Sequence, residues 1–132
     1  MHHCTGKTIL FVDDNEAVIT PLAEMLIAQG YRVVAMTSST EALQAFSRQP
    51  DRFDLVLTDN TMPGLSGQAM AGHMLRLRPD IPIILYTGNA ADVDPATIAR
   101  SGIRAFLMKP ISIAELTATI EKVLDPIGGG VA

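Results

Sequence analysis

Short apolar runs rich in β-branched and aromatic residues alternate along this chain with stretches whose apolar positions recur at helical spacing. Residues 8–12 (Thr-Ile-Leu-Phe-Val) are the first run, and an unbroken apolar run of this length predicts a strand covered on both faces. A helical pattern follows from about 15 to 29, with Val18, Leu22, Met25 and Leu26 as its apolar stripe and Gly30 as its stop. Pro21 interrupts that pattern within its first two turns, where a missing N–H costs least. Residues 31–36 predict a second strand, and Ser38 with Glu41 three positions on predicts a capped helix carrying Ala42, Leu43, Ala45 and Phe46.

The alternation continues to the end. Residues 54–58 predict a third buried strand that stops at Asp59, and Met62-Pro63-Gly64-Leu65-Ser66-Gly67 a turn-rich loop. A helix with Met70, Met74 and Leu77 then ends before Pro79. Residues 81–86 predict a fourth strand, with Pro82 confined to its start. Asp94 and Pro95 form an N-cap and first-turn pair for a short, weakly patterned helix that Gly102 ends. Residues 104–108 predict a fifth strand, followed by Lys109-Pro110. Ser112 and Glu115 then cap a last helix with the stripe Ile113, Leu116, Ile120, Val123 and Leu124. Five strands alternating with five helices predict an α/β fold, a parallel sheet with helices on both faces.

Composition narrows the function classes. The 132 residues suit one domain, and 18% charged residues against the usual figure of about 25% indicate a core-rich chain. Ten basic against 14 acidic residues give a net charge of −4, which argues against nucleic acid and anionic membrane as partners. A single cysteine, Cys4, excludes an internal disulfide and a multi-cysteine zinc site. The methionines Met25, Met70, Met74 and Met108 read as core filler, and His73 as a surface or boundary residue without ligand spacing. No apolar run approaches the ~18 residues of a membrane span, and the N-terminus lacks a signal-type apolar region, so a cytoplasmic setting is expected. The expected organisation is a disordered tail over 1–7, one domain over 8–125 and a flexible glycine-rich tail over 126–132.

In parallel α/β sheets chemistry gathers outside the carboxyl ends of the strands. Asp13 and Asp14 stand at the end of the first strand, Asp59 at the third, Thr87 at the fourth and Lys109 at the fifth. If the first and third strands are neighbours, three carboxylates share one edge and need neutralising. Lys109 offers one positive charge and a hard divalent cation two. Mg²⁺ fits (with Mn²⁺ as an alternative), and the absence of Cys and His in the set argues against zinc. Taken singly, Asp13 and Asp14 would pass for ordinary helix caps and Lys109 for a solvated amine. Together with Asp59 they match the requirements for phosphoryl transfer to a carboxylate: Asp59 as nucleophile, a metal and Lys109 offsetting phosphate charge, and Thr87 as a hydroxyl sensing it.

The stretches Ile9-Leu-Phe-Val-Asp13-Asp14, Leu55-Val-Leu-Thr-Asp59-x-x-Met62-Pro63-Gly64-x-x-Gly67, Ile84-Leu-Tyr-Thr87-Gly and Ala105-Phe-Leu-Met-Lys109-Pro110 resemble, in order and interval, the receiver domains of two-component response regulators. The resemblance covers roughly residues 7–125 and implies a flavodoxin-like (βα)5 three-layer sandwich with strand order 2-1-3-4-5. It implies Asp59 as phosphoacceptor, and Asp13, Asp14, Asp59 and the Thr61 carbonyl as metal ligands. Thr87, Lys109 and Phe106 would be the switch hydroxyl, the phosphate-binding lysine and the switch aromatic, and the Lys109-Pro110 bond is often cis in the family. The implied partner is a histidine kinase or histidine phosphotransfer protein. The surface of the fourth helix, fifth strand and fifth helix would receive a partner or a second copy in a homodimer. Such a domain catalyses only its own phosphotransfer and autodephosphorylation. The texture is most similar to C-terminal receivers of hybrid histidine kinases.

Other readings meet specific obstacles. A haloacid-dehalogenase-type enzyme needs a second aspartate two positions after the nucleophile, where this chain has Thr61. A flavodoxin-like cofactor binder needs a phosphate cradle after the first strand, where Asp13-Asp14-Asn15-Glu16 would repel phosphate. The remaining alternative is a receiver-like adaptor that binds partners without phosphorylation.

Overall fold

The apolar runs become strands and the periodic stretches helices in the computed structural model, which describes residues 6–124 apart from 90 and 92. The elements are β1 (Thr8–Val12), α1 (Glu16–Ala28), β2 (Arg32–Met36), α2 (Ser39–Arg48), β3 (Leu55–Asp59), α3 (Gly67–Leu77), β4 (Ile83–Thr87), α4 (Pro95–Ser101), β5 (Ala105–Met108) and α5 (Ile113–Leu124). A 3₁₀ turn over Pro50–Arg52 leads into β3. Cys4 and the expected tail over 126–132 lie outside the described residues, as does most of the expected tail over 1–7. Of the latter, the Gly6 N–H donates to the Gly30 carbonyl and the Lys7 carbonyl accepts from Arg32 N–H, at 3.3 and 2.8 Å.

All five strands are parallel, in the order β2-β1-β3-β4-β5. Alternate side chains divide the core in two. Leu10, Val12, Val56, Ile83 and Leu85 pack with Ala42 and Phe46 of α2, Met70, Ala71 and Met74 of α3, and Ile98 of α4. Ile9, Phe11, Leu55, Leu57, Ile84, Tyr86 and Leu107 pack with Ile19, Ala23 and Leu26 of α1 and Leu116, Ile120 and Val123 of α5. β3 and β4 are buried along their whole length, whereas β2 is an edge strand with exposed and half-buried positions.

The expected caps at Ser38 and Asp94 form, each accepting a first-turn backbone N–H, and Asn15 and Ser66, which the sequence pattern did not single out, cap α1 and α3 in the same way. Ser112 accepts the Glu115 N–H at 3.0 Å. Gly102 ends α4 in the left-handed region at φ 100°, which favours glycine there. α1 runs unbroken through Pro21, because Ala17 and Pro21 both face solvent and the carbonyl left without a partner is not stranded in the core. The Lys109-Pro110 bond is cis.

Some faces differ from expectation. The core stripe of α1 is Ile19, Ala23 and Leu26, not Val18, Leu22 and Met25; Met25 is 46% exposed and Leu22 half-buried. The helix is apolar on adjacent stripes, so spacing alone does not choose between them, and small Ala23 lets the backbone approach the sheet. Of the four methionines expected as core filler, Met70 and Met74 are fully buried while Met25 and Met108 are exposed, and Leu77, placed with Met70 and Met74 on the third helix, is 50% exposed.

Arg78, at the C-cap of α3, donates from Nη1 to the Pro50 and Phe53 carbonyls at 2.8 and 2.6 Å and pairs through Nε with Asp80 at 3.1 Å. It ties the end of α3 to the turn that sets the entry of β3. Arg78→Ala is expected to cost about 2 kcal/mol, since charge-assisted bonds to half-buried carbonyls are lost. Arg78→Lys should recover only part, because an ammonium cannot reproduce the fork. Urea denaturation of the three proteins checks both outcomes.

Candidate functional site

Strand alternation carries the site. Ile9 and Phe11, Leu55 and Leu57, Ile84 and Tyr86, and Leu107 all face α1 and α5. Two residues further along β1, β3 and β5, the same alternation brings Asp13, Asp59 and Lys109 to that face at the carboxyl edge of the sheet. Val12 pairs with Thr58 and Asp59 with Tyr86, so the tips of β1, β3 and β4 end at one level.

One carboxylate oxygen each from Asp13, Asp14 and Asp59 lie within 4.8 Å of one another. Asp13 is fully buried; its Oδ1 accepts the Asn15 N–H at 2.9 Å and its Oδ2 accepts the Tyr86 hydroxyl at 2.6 Å. Asp14 is exposed and opens the cluster to solvent. Lys109 Nζ lies 3.3 Å from Asp59 Oδ2 and 4.0 Å from Asp13 Oδ2. Asp59 Oδ1 is buried without a hydrogen-bond partner. Leaving a buried carboxylate oxygen unpaired is costly, so the arrangement favours a further cation or donor at that atom.

Burial, and then the charge of Asp13, raise the Asp59 pKa above its ordinary 3.8; Lys109 and the Thr61 backbone oppose them. Between 3.8 and the raised value the folded chain binds more protons at Asp59 than the unfolded chain does, so Asp59 lowers stability as pH rises through that window. Asp59→Asn removes this charge and should raise the neutral-pH melting temperature of the metal-free protein by about 3–6 °C, the change that about 1 kcal/mol makes at this size. The gain should shrink toward pH 4, which thermal melts across pH check.

The backbone behind Asp59 is held closely. Its carbonyl accepts the Thr58 hydroxyl at 2.8 Å, and the next N–H, of Asn60, donates to the Tyr86 carbonyl at 2.9 Å. Buried Asn60 then caps α3 twice: its carbonyl accepts Gly67 N–H at 2.9 Å and its side chain accepts Gln68 N–H at 3.0 Å. α3 comes so near that a Cβ on Gly67 would overlap the Asp59 carbonyl oxygen and lie 3.0 Å from the Asn60 Cα.

Among the expected site residues, the structure thus brings Asp13, Asp14, Asp59 and Lys109 together. Thr61 is exposed, two positions beyond Asp59. Thr87 is buried at the tip of β4; its hydroxyl accepts the Asn89 N–H at 3.2 Å, and its carbonyl accepts the Lys109 N–H at 2.9 Å. Phe106 is half-buried against the core on the α2, α3 and α4 side, on the opposite sheet face from Lys109. Two contributors escaped the sequence: Asn60, and Tyr86, whose ring lies 5.3 Å beneath Lys109 Nζ. Burial, then the hydrogen bond and charge of Asp13, push the Tyr86 phenol far upward, so it stays a donor. Its signal was present in the strand parity it shares with Asp59.

With only oxygen ligands and an unpartnered buried carboxylate oxygen, the cluster fits a hard divalent cation and not a thiophilic one.

Comparison with known proteins agrees with this geometry. Residues 9–121 match the response regulator receiver domain family. The chain is 33% identical over 117 residues to the sensory transduction protein RegX3 of Mycobacterium tuberculosis H37Rv, covering 89% of this chain and 50% of RegX3. It therefore spans about half the length of that relative. A response regulator receiver domain protein from Clostridium thermocellum superposes with a TM-score of 0.84 at 30% identity, covering 91% of this chain and 95% of the other. The receiver domain of the sensor histidine kinase PA1611 from Pseudomonas aeruginosa PAO1 gives a TM-score of 0.80 at 30% identity over 91% and 98% of the two chains. That structure holds a magnesium ion coordinated in its active site cleft. No helix among the described residues here is long and apolar enough to cross a membrane. The strand order, the tip-borne acidic cluster with its lysine, and the match over most of the chain make this protein a member of the response regulator receiver domain family.

Proposed function

We propose that Asp59 accepts a phosphoryl group from a histidine kinase or histidine phosphotransfer protein, and that the chain acts as a phosphorylation-controlled switch. The observation that carries this reading is the state of the Asp59 carboxylate: Oδ2 is paired with Lys109, while Oδ1 is buried and unpartnered among two further carboxylates. One oxygen of the Asp59 carboxylate attacks phosphorus in line, a P–O bond forms as the P–N bond of phosphohistidine breaks, and the imidazole leaves with the bonding pair. Asp13, Asp14, Asp59 and the Thr61 carbonyl would hold Mg²⁺ or Mn²⁺. When bound, such an ion offsets the negative charge that gathers on the transferring group. Lys109 binds a phosphate oxygen, and Thr87 leaves the Asn89 backbone to bind another. Movement of Thr87 and Phe106 then alters the α4, β5 and α5 surface for a partner or a second copy. The catalysis is confined to the chain's own phosphotransfer and dephosphorylation.

Intact mass after incubation with acetyl phosphate and Mg²⁺ tests the reading. The wild type gains one phosphoryl group, while Asp59→Asn and a chelator-treated control gain none. An unchanged wild type would favour an adaptor that works without phosphorylation, and a phosphorylated Asp59→Asn would place the acceptor elsewhere.

A further inference from the structure

We propose that Tyr86 is a positioning residue of the metal site, holding Asp13 through its hydroxyl and Lys109 over its ring so that the lysine stays on Asp59. This inference rests on the cation reading of the acidic cluster and names a residue outside its ligand set.

Tyr86 touches both charged neighbours of Asp59. Its hydroxyl crosses to Asp13 Oδ2 at 2.6 Å, while Asn15 N–H occupies Oδ1 at 2.9 Å, so both oxygens of this buried carboxylate are oriented by donors. The ring face lies 5.3 Å from Lys109 Nζ, within cation–π reach, and its edge meets Phe11 at a centroid distance of 6.3 Å and an interplanar angle of 73°. The ring is thus fixed by packing and can act as a rigid arm. Lys109 stands 3.3 Å from Asp59 and 4.0 Å from Asp13, and the Asp13 oxygen nearer to it is the one the phenol already serves. Without the hydroxyl that oxygen is left short of a donor in a buried setting, and the ammonium is the only charged donor within reach among the described residues. Lys109 then moves toward Asp13, pairing with a carboxylate that would hold the cation and loosening its hold on Asp59. Groups that orient metal-binding carboxylates typically contribute 10–100-fold to affinity.

The test is a titration of the metal-free protein with Mn²⁺ alone, following free Mn²⁺ by electron paramagnetic resonance. Tyr86→Phe keeps the ring and deletes the hydroxyl, and Mn²⁺ should bind about 10-fold more weakly. Tyr31→Phe deletes the chain's other tyrosine hydroxyl, at the opposite, amino-terminal edge of the sheet, and should leave Mn²⁺ affinity within twofold of wild type. Wild-type affinity in Tyr86→Phe, with normal binding by the wild type, overturns the role of Tyr86 alone. Failure of the wild type to bind Mn²⁺ overturns the cation reading itself. A second measurement needs no variant at Tyr86. The chain has two tyrosines, so 3-fluorotyrosine labelling gives two ¹⁹F resonances, assigned with Tyr31→Phe. The Tyr86 signal should shift on adding Mg²⁺ and the Tyr31 signal stay; an unmoved Tyr86 signal also overturns the proposal.

Discussion

Gly67→Ala is expected to lower the melting temperature by on the order of 10 °C and to slow the proposed phosphorylation of Asp59 about a hundredfold. Two effects oppose each other at this position. Alanine is the better helix former by up to about 1 kcal/mol, which would favour the variant. Against that, the new Cβ would overlap the Asp59 carbonyl oxygen and approach the Asn60 Cα, and both are backbone atoms that cannot turn aside as a side chain would. Relief requires α3 to withdraw, which strains the hydrogen bonds from Gly67 and Gln68 to Asn60. Overpacking of this kind costs about 1–3 kcal/mol and occasionally more, so the clash outweighs the propensity gain. Because Asn60 follows Asp59 directly, the displacement is carried into the proposed acceptor, where misplacement by about 1 Å is enough for a hundredfold loss. Gly72 lies in the same helix and a Cβ there meets nothing within 4 Å. Gly72→Ala should therefore stabilise the protein by about 0.5–1 kcal/mol and leave phosphorylation unchanged. Thermal melts and acetyl phosphate kinetics on the two alanine variants separate the contact from the propensity. Equal stability in the two would show that α3 does not press on β3.

The contrast between these glycines marks where the sequence is informative. Gly67 stood out through its place in a motif, but nothing in the letters distinguished its crowded environment from the open one of Gly72, which depends on how far α3 sits from the end of β3. The strands, the caps at Ser38, Asp94 and Ser112, and the order of elements were legible because each rests on local chemistry: continuous apolar runs, side-chain oxygens on first-turn amides, glycine at a positive φ. The convergence of Asp13, Asp14, Asp59 and Lys109 followed from strand tips once β1 was taken to adjoin β3. The buried face of α1 was not legible, because Val18-Leu22-Met25 and Ile19-Ala23-Leu26 are equally periodic, and only the sheet selects the stripe whose small Ala23 permits close approach. Tyr86 was passed over for a related reason. An aromatic inside an apolar strand reads as core, and its ring is core; only the position of its hydroxyl, reaching Asp13 from another strand, makes it part of the site.

Lys109→Met is expected to slow the proposed phosphorylation of Asp59 by about 10²–10³-fold, the usual result of deleting one charged donor that faces developing anionic charge. It also reshapes the stability of the metal-free protein. In the wild type Lys109 opposes the burial and the Asp13 charge that raise the Asp59 pKa. Deleting it leaves Asp59 and Asp13 without their shared ammonium, while the methionine can still lie on the Tyr86 ring. The Asp59 pKa then moves further up. Over the window between 3.8 and that value the folded state binds the extra proton, so stability falls more steeply with rising pH than in the wild type. The deficit is expected to be about 1–3 kcal/mol at neutral pH, below the 3–5 kcal/mol typical of a fully buried pair because the lysine remains partly exposed. It should narrow toward pH 4 as Asp59 takes up its proton. Asp59→Asn in the Lys109→Met background removes the uncompensated charge and should restore most of the lost neutral-pH stability while leaving phosphorylation absent. Lys109→Arg keeps the charge and should recover the stability but only part of the rate, since a planar fork replaces a compact ammonium. Denaturant unfolding from pH 4 to 8, run beside acetyl phosphate kinetics, measures both readouts. A pH-independent deficit in Lys109→Met, unrelieved by Asp59→Asn, would mean the lysine contributes through its packed stem and not through its charge on the acceptor.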